Sequence, residues 1–83
     1  MRGDTVIVRA YGGVALVRRV WDAGDDKVYI CSDKNFDWLS REDGSGTYIG
    51  FPQEDVFVFD EAALAEFNPP ALWERLVPYH VRA

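Results

Sequence analysis

Thr47-Tyr48-Ile49-Gly50-Phe51-Pro52-Gln53-Glu54-Asp55-Val56 is the stretch on which the fold turns. Its first five residues, β-branched and aromatic around one glycine, have the composition of a short strand. Pro52 fixes φ and lacks an N–H, so a single helical turn over Pro52-Gln53-Glu54-Asp55 is favoured over continued strand. Val56-Phe57-Val58-Phe59 then reads as the next strand. Two short strands meeting at so tight a corner belong to a strongly curved sheet.

Upstream, Thr5-Val6-Ile7-Val8-Arg9-Ala10-Tyr11 is a β-branched run between Gly3-Asp4 and Gly12-Gly13, a strand leading into a tight turn. Val14 to Trp21 forms the second strand. Val14, Leu16, Arg18 and Val20 share one face, and Ala15, Val17, Arg19 and Trp21 the other. Neither face is purely apolar, which predicts a bulge near the arginine pair. Asp22-Ala23-Gly24-Asp25-Asp26 is a turn by composition, and Lys27-Val28-Tyr29-Ile30-Cys31 completes a meander. Ser32 to Leu39 predicts a short helix with Ser32 or Asp33 as N-cap and with Phe36 and Leu39 towards the sheet. Ser40 to Gly46 is a polar loop expected to be mobile. Five short strands predict a mainly β fold, a partly closed barrel sealed through Gly50-Phe51-Pro52.

Past Asp60 the pattern changes. Glu61 to Phe67 favours helix with Asp60 as N-cap, Asn68-Pro69-Pro70 breaks it, and Ala71 to Val77 gives another helical turn or two before Pro78. Residues 1–60 are therefore expected to form the small barrel. Residues 61–83 form a short C-terminal helical appendage packed on it, within a single domain. Leu72, Trp73 and Leu76 make an apolar stripe at helical spacing, which either folds back on the barrel or docks on a second copy as a homodimer.

The succession of a glycine-containing strand, Pro52, one helical turn and a last short strand, after a meander, resembles the Src-homology-3-like barrels over about residues 3 to 60. The likeness is one of fold. The first loop offers only Tyr11 in place of the tyrosine-rich motif of the peptide-binding members, and no Trp-Trp pair exists. Phe51 and Pro52 would fall near their groove. Gly3-Asp4-Thr5-Val6-Ile7-Val8-Arg9, Val17-Arg18-Arg19-Val20 and Val28-Tyr29-Ile30-Cys31-Ser32-Asp33 also resemble, over residues 3–36, the C-terminal β-scaffold of LexA-like repressor proteases. That family's catalytic lysine would match Arg18, which cannot deprotonate to act as a base, and its nucleophilic serine has no counterpart. This second resemblance implies a scaffold without proteolysis.

Little else points to catalysis. Asp25-Asp26, Glu42-Asp43, Glu54-Asp55 and Asp60-Glu61 are adjacent in sequence, so their carboxylates tend to diverge rather than converge on one cleft. Cys31, the single cysteine, lies in an apolar alternation and reads as a small buried residue; His80, the single histidine, reads as exposed near the terminus. No metal site and no cofactor is expected, and the chain is read as not an enzyme. No stretch approaches a signal-peptide core or a membrane span, which makes the cytoplasm the expected location.

Net charge is −5, and twelve of the fourteen acids lie between Asp22 and Glu66. That excess disfavours a general phosphate-backbone binder. A basic face of Arg9, Arg18 and Arg19 is the alternative, a nucleic-acid-associated regulator. A small hydrolase-like enzyme is a third reading. The leading expectation is a non-catalytic binding or adaptor module for a protein partner, using Tyr11, Trp21, Trp38, Tyr48 and Phe51 at loop ends to hold a cationic side chain by cation–π attraction.

Overall fold

The computed structural model describes residues 1–41 and 46–79. It is mainly β: one antiparallel sheet of β1 (Thr5–Arg9), β2 (Ala15–Ala23), β3 (Lys27–Cys31), β4 (Ile49–Pro52) and β5 (Val56–Val58). The order across the sheet is β4-β3-β2-β1-β5. A 3-10 turn at Tyr11–Gly13 joins β1 to β2, with Gly12 and Gly13 both at positive φ (78° and 79°), a region glycine enters without steric cost. The corner between β4 and β5 is the 3-10 turn Gln53–Asp55 directly after Pro52. β4 and β5 are the outer strands and do not pair with each other among the described residues, so the sheet is curved but open.

Register explains how β2 serves two neighbours. Thr5 to Arg9 pair with Arg19 to Ala15, and Arg19 and Val20 then pair with Cys31 and Ile30. The register slips between Val20 and Asp22, a bulge just beyond the arginine pair. β2 thus bends from one partner to the next.

Each face carries its own core. Val6, Val8, Val20, Val28, Ile30 and Val56 cluster on one side with Phe51 and Tyr79 against them. Ile7 and Phe57 point the other way, into α2 (Glu61–Glu66) and α3 (Ala71–Arg75), and meet Ala63, Leu72 and Leu76. β1 is therefore buried on both faces, which is why Val6-Ile7-Val8 is an unbroken apolar run. Asp60 caps α2 by accepting from the Ala63 N–H at 3.0 Å.

The Leu72/Trp73/Leu76 stripe is accounted for within the chain. Leu72 is 1% exposed and Leu76 is buried, while Trp73 stacks at 5.3 Å on Phe57. Of the two arrangements expected for the stripe, folding back is the one seen: it fills the second core of its own sheet. Beyond α3 the chain returns along β5. Val58 N–H donates to the Val77 carbonyl at 2.8 Å and Tyr79 N–H to the Val56 carbonyl at 3.0 Å, so the outer edge of β5 is covered.

α1 (Asp33–Ser40) bridges β3 and β4. Ser32 is its N-cap, its hydroxyl accepting from the Asn35 N–H at 3.2 Å. Phe36 turns onto Trp21, as its spacing predicts, with ring centroids 5.8 Å apart. Glu42 and Asp43, most of the expected mobile loop, and His80 lie outside the described residues.

Candidate functional site

The five aromatic candidates do not form one patch. Tyr11 is 100% exposed at the β1–β2 turn. Trp21 sits at the β2 bulge, about 20 Å along the strand from its start at Ala15 at roughly 3.3 Å per residue. Phe51 pairs opposite Val28 and packs into the first core. Tyr48 meets Tyr29 edge to face at 5.8 Å, and Trp38 is half-buried on α1. Several rings already carry a cation of the chain itself. Arg2 lies 4.2 Å above Trp21, Arg19 4.2 Å above Phe36 and Lys34 4.9 Å from Trp38. The cation–π chemistry expected for a ligand is thus used internally at Trp21 and Trp38.

The three arginines are dispersed as well. Arg9 and Arg19 project from the face that holds Ile7, and Arg18 from the opposite one, because Arg18 pairs with Val6. Arg9 Nε donates to Asp55 at 2.9 Å, and its guanidinium also reaches the Glu54 carbonyl and lies over Phe57 and Trp73. Arg19 Nε donates to the Gly3 carbonyl at 2.8 Å, and Nη1 pairs with Asp33 at 3.3 Å. A strip of free guanidiniums on one face is absent among the described residues. Arg18 stands apart: among the described residues its hydrogen bond is to the carbonyl of the adjacent Val17.

Two clefts remain. The larger, about 500 Å³, is lined by Asp25, Asp26, Pro52, Gln53, Glu54, Pro78 and Tyr79. It lies between the β2–β3 turn, the 3-10 corner and the end of the tail. Gln53 N–H donates to the Asp26 carbonyl at 3.0 Å and fixes corner to turn. Tyr79 is held from behind, its backbone on β5 and its hydroxyl donating to Asp4 Oδ2 at 2.8 Å. Burial first, then the Asp4 hydrogen bond, pushes the Tyr79 phenol up to about 12. The floor is thus two prolines and a tyrosine ring in fixed positions. Asp25, Asp26 and Glu54 are exposed at the rim, and among the described residues none of their carboxylates pairs with a cation.

Nothing local in Asp25-Asp26 or Pro78-Tyr79 marks them as one site, and sequence reasoning missed it; the concentration of acid past Asp22 is the one signal that could have found it. The smaller cleft, about 260 Å³, is lined by Arg18, Ile30, Cys31, Ser32, Asn35, Thr47, Tyr48 and Ile49. Cys31 is buried there, with burial pushing its thiol up from the ordinary value. That is the setting of a structural rather than a nucleophilic cysteine. Among the described residues no group of three or more His, Cys, Asp or Glu stands together as a metal site. No helix among them is long and apolar enough to cross a membrane.

No family model, no curated protein and no solved structure matches the chain.

Proposed function

We propose that this chain is a non-catalytic binding module on a Src-homology-3-like barrel, and that it holds a protein partner in the cleft between the β2–β3 turn and the 3-10 corner. The meander, Pro52, single turn and last strand support the reading of the fold. One observation carries the reading of function: an apolar floor of Pro52, Pro78 and Tyr79 lies beneath the carboxylates of Asp25, Asp26 and Glu54, which meet no cation among the described residues. Proline and tyrosine offer rigid apolar area at small entropic cost, and the carboxylates add charge complementarity and faster encounter. Such a cleft suits an extended segment with an apolar residue flanked by lysine or arginine. This moves the expected contact away from Trp21 and Trp38, whose faces are occupied, to the neighbourhood of Pro52.

A short acetylated and amidated peptide of alternating lysine, proline and leucine is the probe. Titrated into the 15N-labelled protein, it is expected to shift the amides of Asp25, Asp26, Gln53 and Tyr79. The double variant Asp26→Asn/Glu54→Gln should weaken binding roughly tenfold, and raised salt should weaken it in the wild type. Shifts confined to other residues, or equal binding by the double variant, would overturn the reading.

A further inference from the structure

The sheet treats its two edges differently. Val77 to Tyr79 cover the edge of β5. β4 has no such cover: apart from its ladder with β3, no backbone hydrogen bond among the described residues involves Tyr48 to Pro52. Ile49 is 61% exposed and Tyr48 is also exposed on this edge. A bare strand edge is a template for one more strand.

The smaller cleft adjoins the same edge and has its own chemistry. Extending the pairing of Ile30 with Ile49 and of Arg19 with Cys31 past the ends of these ladders brings Arg18 of β2 level with Ser32, just after β3, and Thr47, just before β4. All three line the cleft, with Ile30 and Ile49 from the next row as its apolar side. Arg18 is half-buried, carries a permanent charge, and meets no carboxylate among the described residues of a chain rich in acid. Val17 O satisfies one of its donors, the side chain lines the cleft, and no other acceptor meets it among the described residues.

We infer that the β4 edge and the Arg18 cleft form one site that takes an extended acidic peptide strand, its backbone pairing with β4 and a glutamate or aspartate side chain received by Arg18. A strand added outside β4 would carry side chains on the same face as Arg18, three strand spacings or about 14 Å away, a gap that an arginine and a glutamate laid along the sheet surface can bridge. A second copy of the chain is the poorer occupant. Self-pairing would present Tyr48, Ile49, Gly50 and Phe51, none of them acidic, and would leave Arg18 unmatched. The site is independent of the acidic cleft, faces a ligand of opposite charge, and stands or falls separately from it.

The probe is a short acetylated and amidated peptide of alternating valine and threonine with one central glutamate, beside its central-glutamine counterpart. Binding is followed by fluorescence anisotropy and by amide shifts on the 15N-labelled protein. The glutamate peptide should bind roughly tenfold or more tightly than the glutamine peptide and shift Ile49 and Gly50. Arg18→Leu and Arg18→Gln should each erase that difference with an unchanged circular dichroism spectrum, while Asp26→Asn/Glu54→Gln leaves it intact. Equal binding of the two peptides, shifts away from β4, or no binding would overturn the proposal. So would a dimer in light scattering whose amide shifts on dilution map to β4, since the occupant would then be a second copy.

Discussion

The Tyr79 hydroxyl donates a 2.8 Å hydrogen bond to Asp4 Oδ2, joining the end of the tail to the turn before β1 across 75 residues. The N-terminal amine donates to both groups, at 2.6 Å to Asp4 and 2.5 Å to the Tyr79 oxygen. Asp4 is held below the ordinary carboxylate value by the amine first and Tyr79 second, against a smaller opposing effect of burial. Its contribution to stability is present above the ordinary carboxylate pKa and is lost as pH falls through the lowered folded value. The Tyr79 contribution has the opposite sense: present below the ordinary phenol value, it is lost as pH rises through about 12. Urea midpoints measured against pH should therefore show Asp4→Asn flattening the acid limb, and Tyr79→Phe removing the loss between about pH 10 and 12. A Tyr79→Phe protein with an unaltered alkaline limb would contradict this linkage.

The second core should be expensive to disturb. Leu72 is 1% exposed and seats α3 on Ile7 and Phe57. Leu72→Ala should cost about 2–5 kcal/mol, a large part of what a chain of this size has, and lower the urea midpoint accordingly. Retention of the wild-type midpoint would show that the tail is not part of the cooperative unit.

Trp73, one residue along, should behave differently. Its Nε1 is buried without a hydrogen-bond partner among the described residues. Trp73→Phe removes an unsatisfied donor while keeping a ring against Phe57, so lost area and relieved desolvation oppose each other. The net change in unfolding free energy should stay within about 1 kcal/mol. Denaturant titration followed by far-ultraviolet circular dichroism measures it without depending on indole fluorescence.

Arg9 links chemistry across the sheet. It pairs with Asp55 while its guanidinium lies 5.2 Å from the centre of Phe57 and 5.4 Å from that of Trp73. Arg9→Lys keeps the charge but loses the planar group that stacks and bonds together. A loss of about 0.5–2 kcal/mol is expected from the weakened stacking and pairing. In a double-mutant cycle with Asp55→Asn, the two losses should be less than additive. Full additivity would mean that the pair does not couple β1 to the 3-10 corner.

Gly46 tests the docking of α1. A Cβ built there would lie 2.5 Å from the Asn35 carbonyl oxygen and 2.8 Å from Leu39 Cγ. Gly46→Ala should destabilise by about 1–3 kcal/mol because helix backbone must give way. Gly12→Ala meets nothing within 4 Å, and positive φ is its only penalty, about 1 kcal/mol. Thermal melts of the two variants should rank in that order.

Much of the fold was legible because local chemistry and tertiary structure agree. Pro52 ends β4 and starts the 3-10 turn, Ser32 and Asp60 cap the helices, and Gly12-Gly13 turns β1 into β2. What stayed illegible depends on partners far apart in sequence. Val6-Ile7-Val8 announced a strand, yet its burial on both faces needs Leu72 and Leu76. Trp21 and Trp38 looked available because nothing in their own segments shows that Arg2 and Lys34 come to rest on them. The larger cleft combines residues 25–26, 52–54 and 78–79, each unremarkable alone, and only the closure of the tail on β5 assembles it.

That closure also decides what kind of assembly the chain avoids. With Val77 to Tyr79 along β5, the described residues leave one bare strand, β4, and pairing through it alone stops at two bodies. A chain ending before Val77 would bare β5 as well, giving each molecule two unlike sticky edges. β4 of one copy could then meet β5 of the next without the series ever closing, the geometry of an open filament. Val77 to Tyr79, besides flooring a cleft, form the cap on this edge of the sheet.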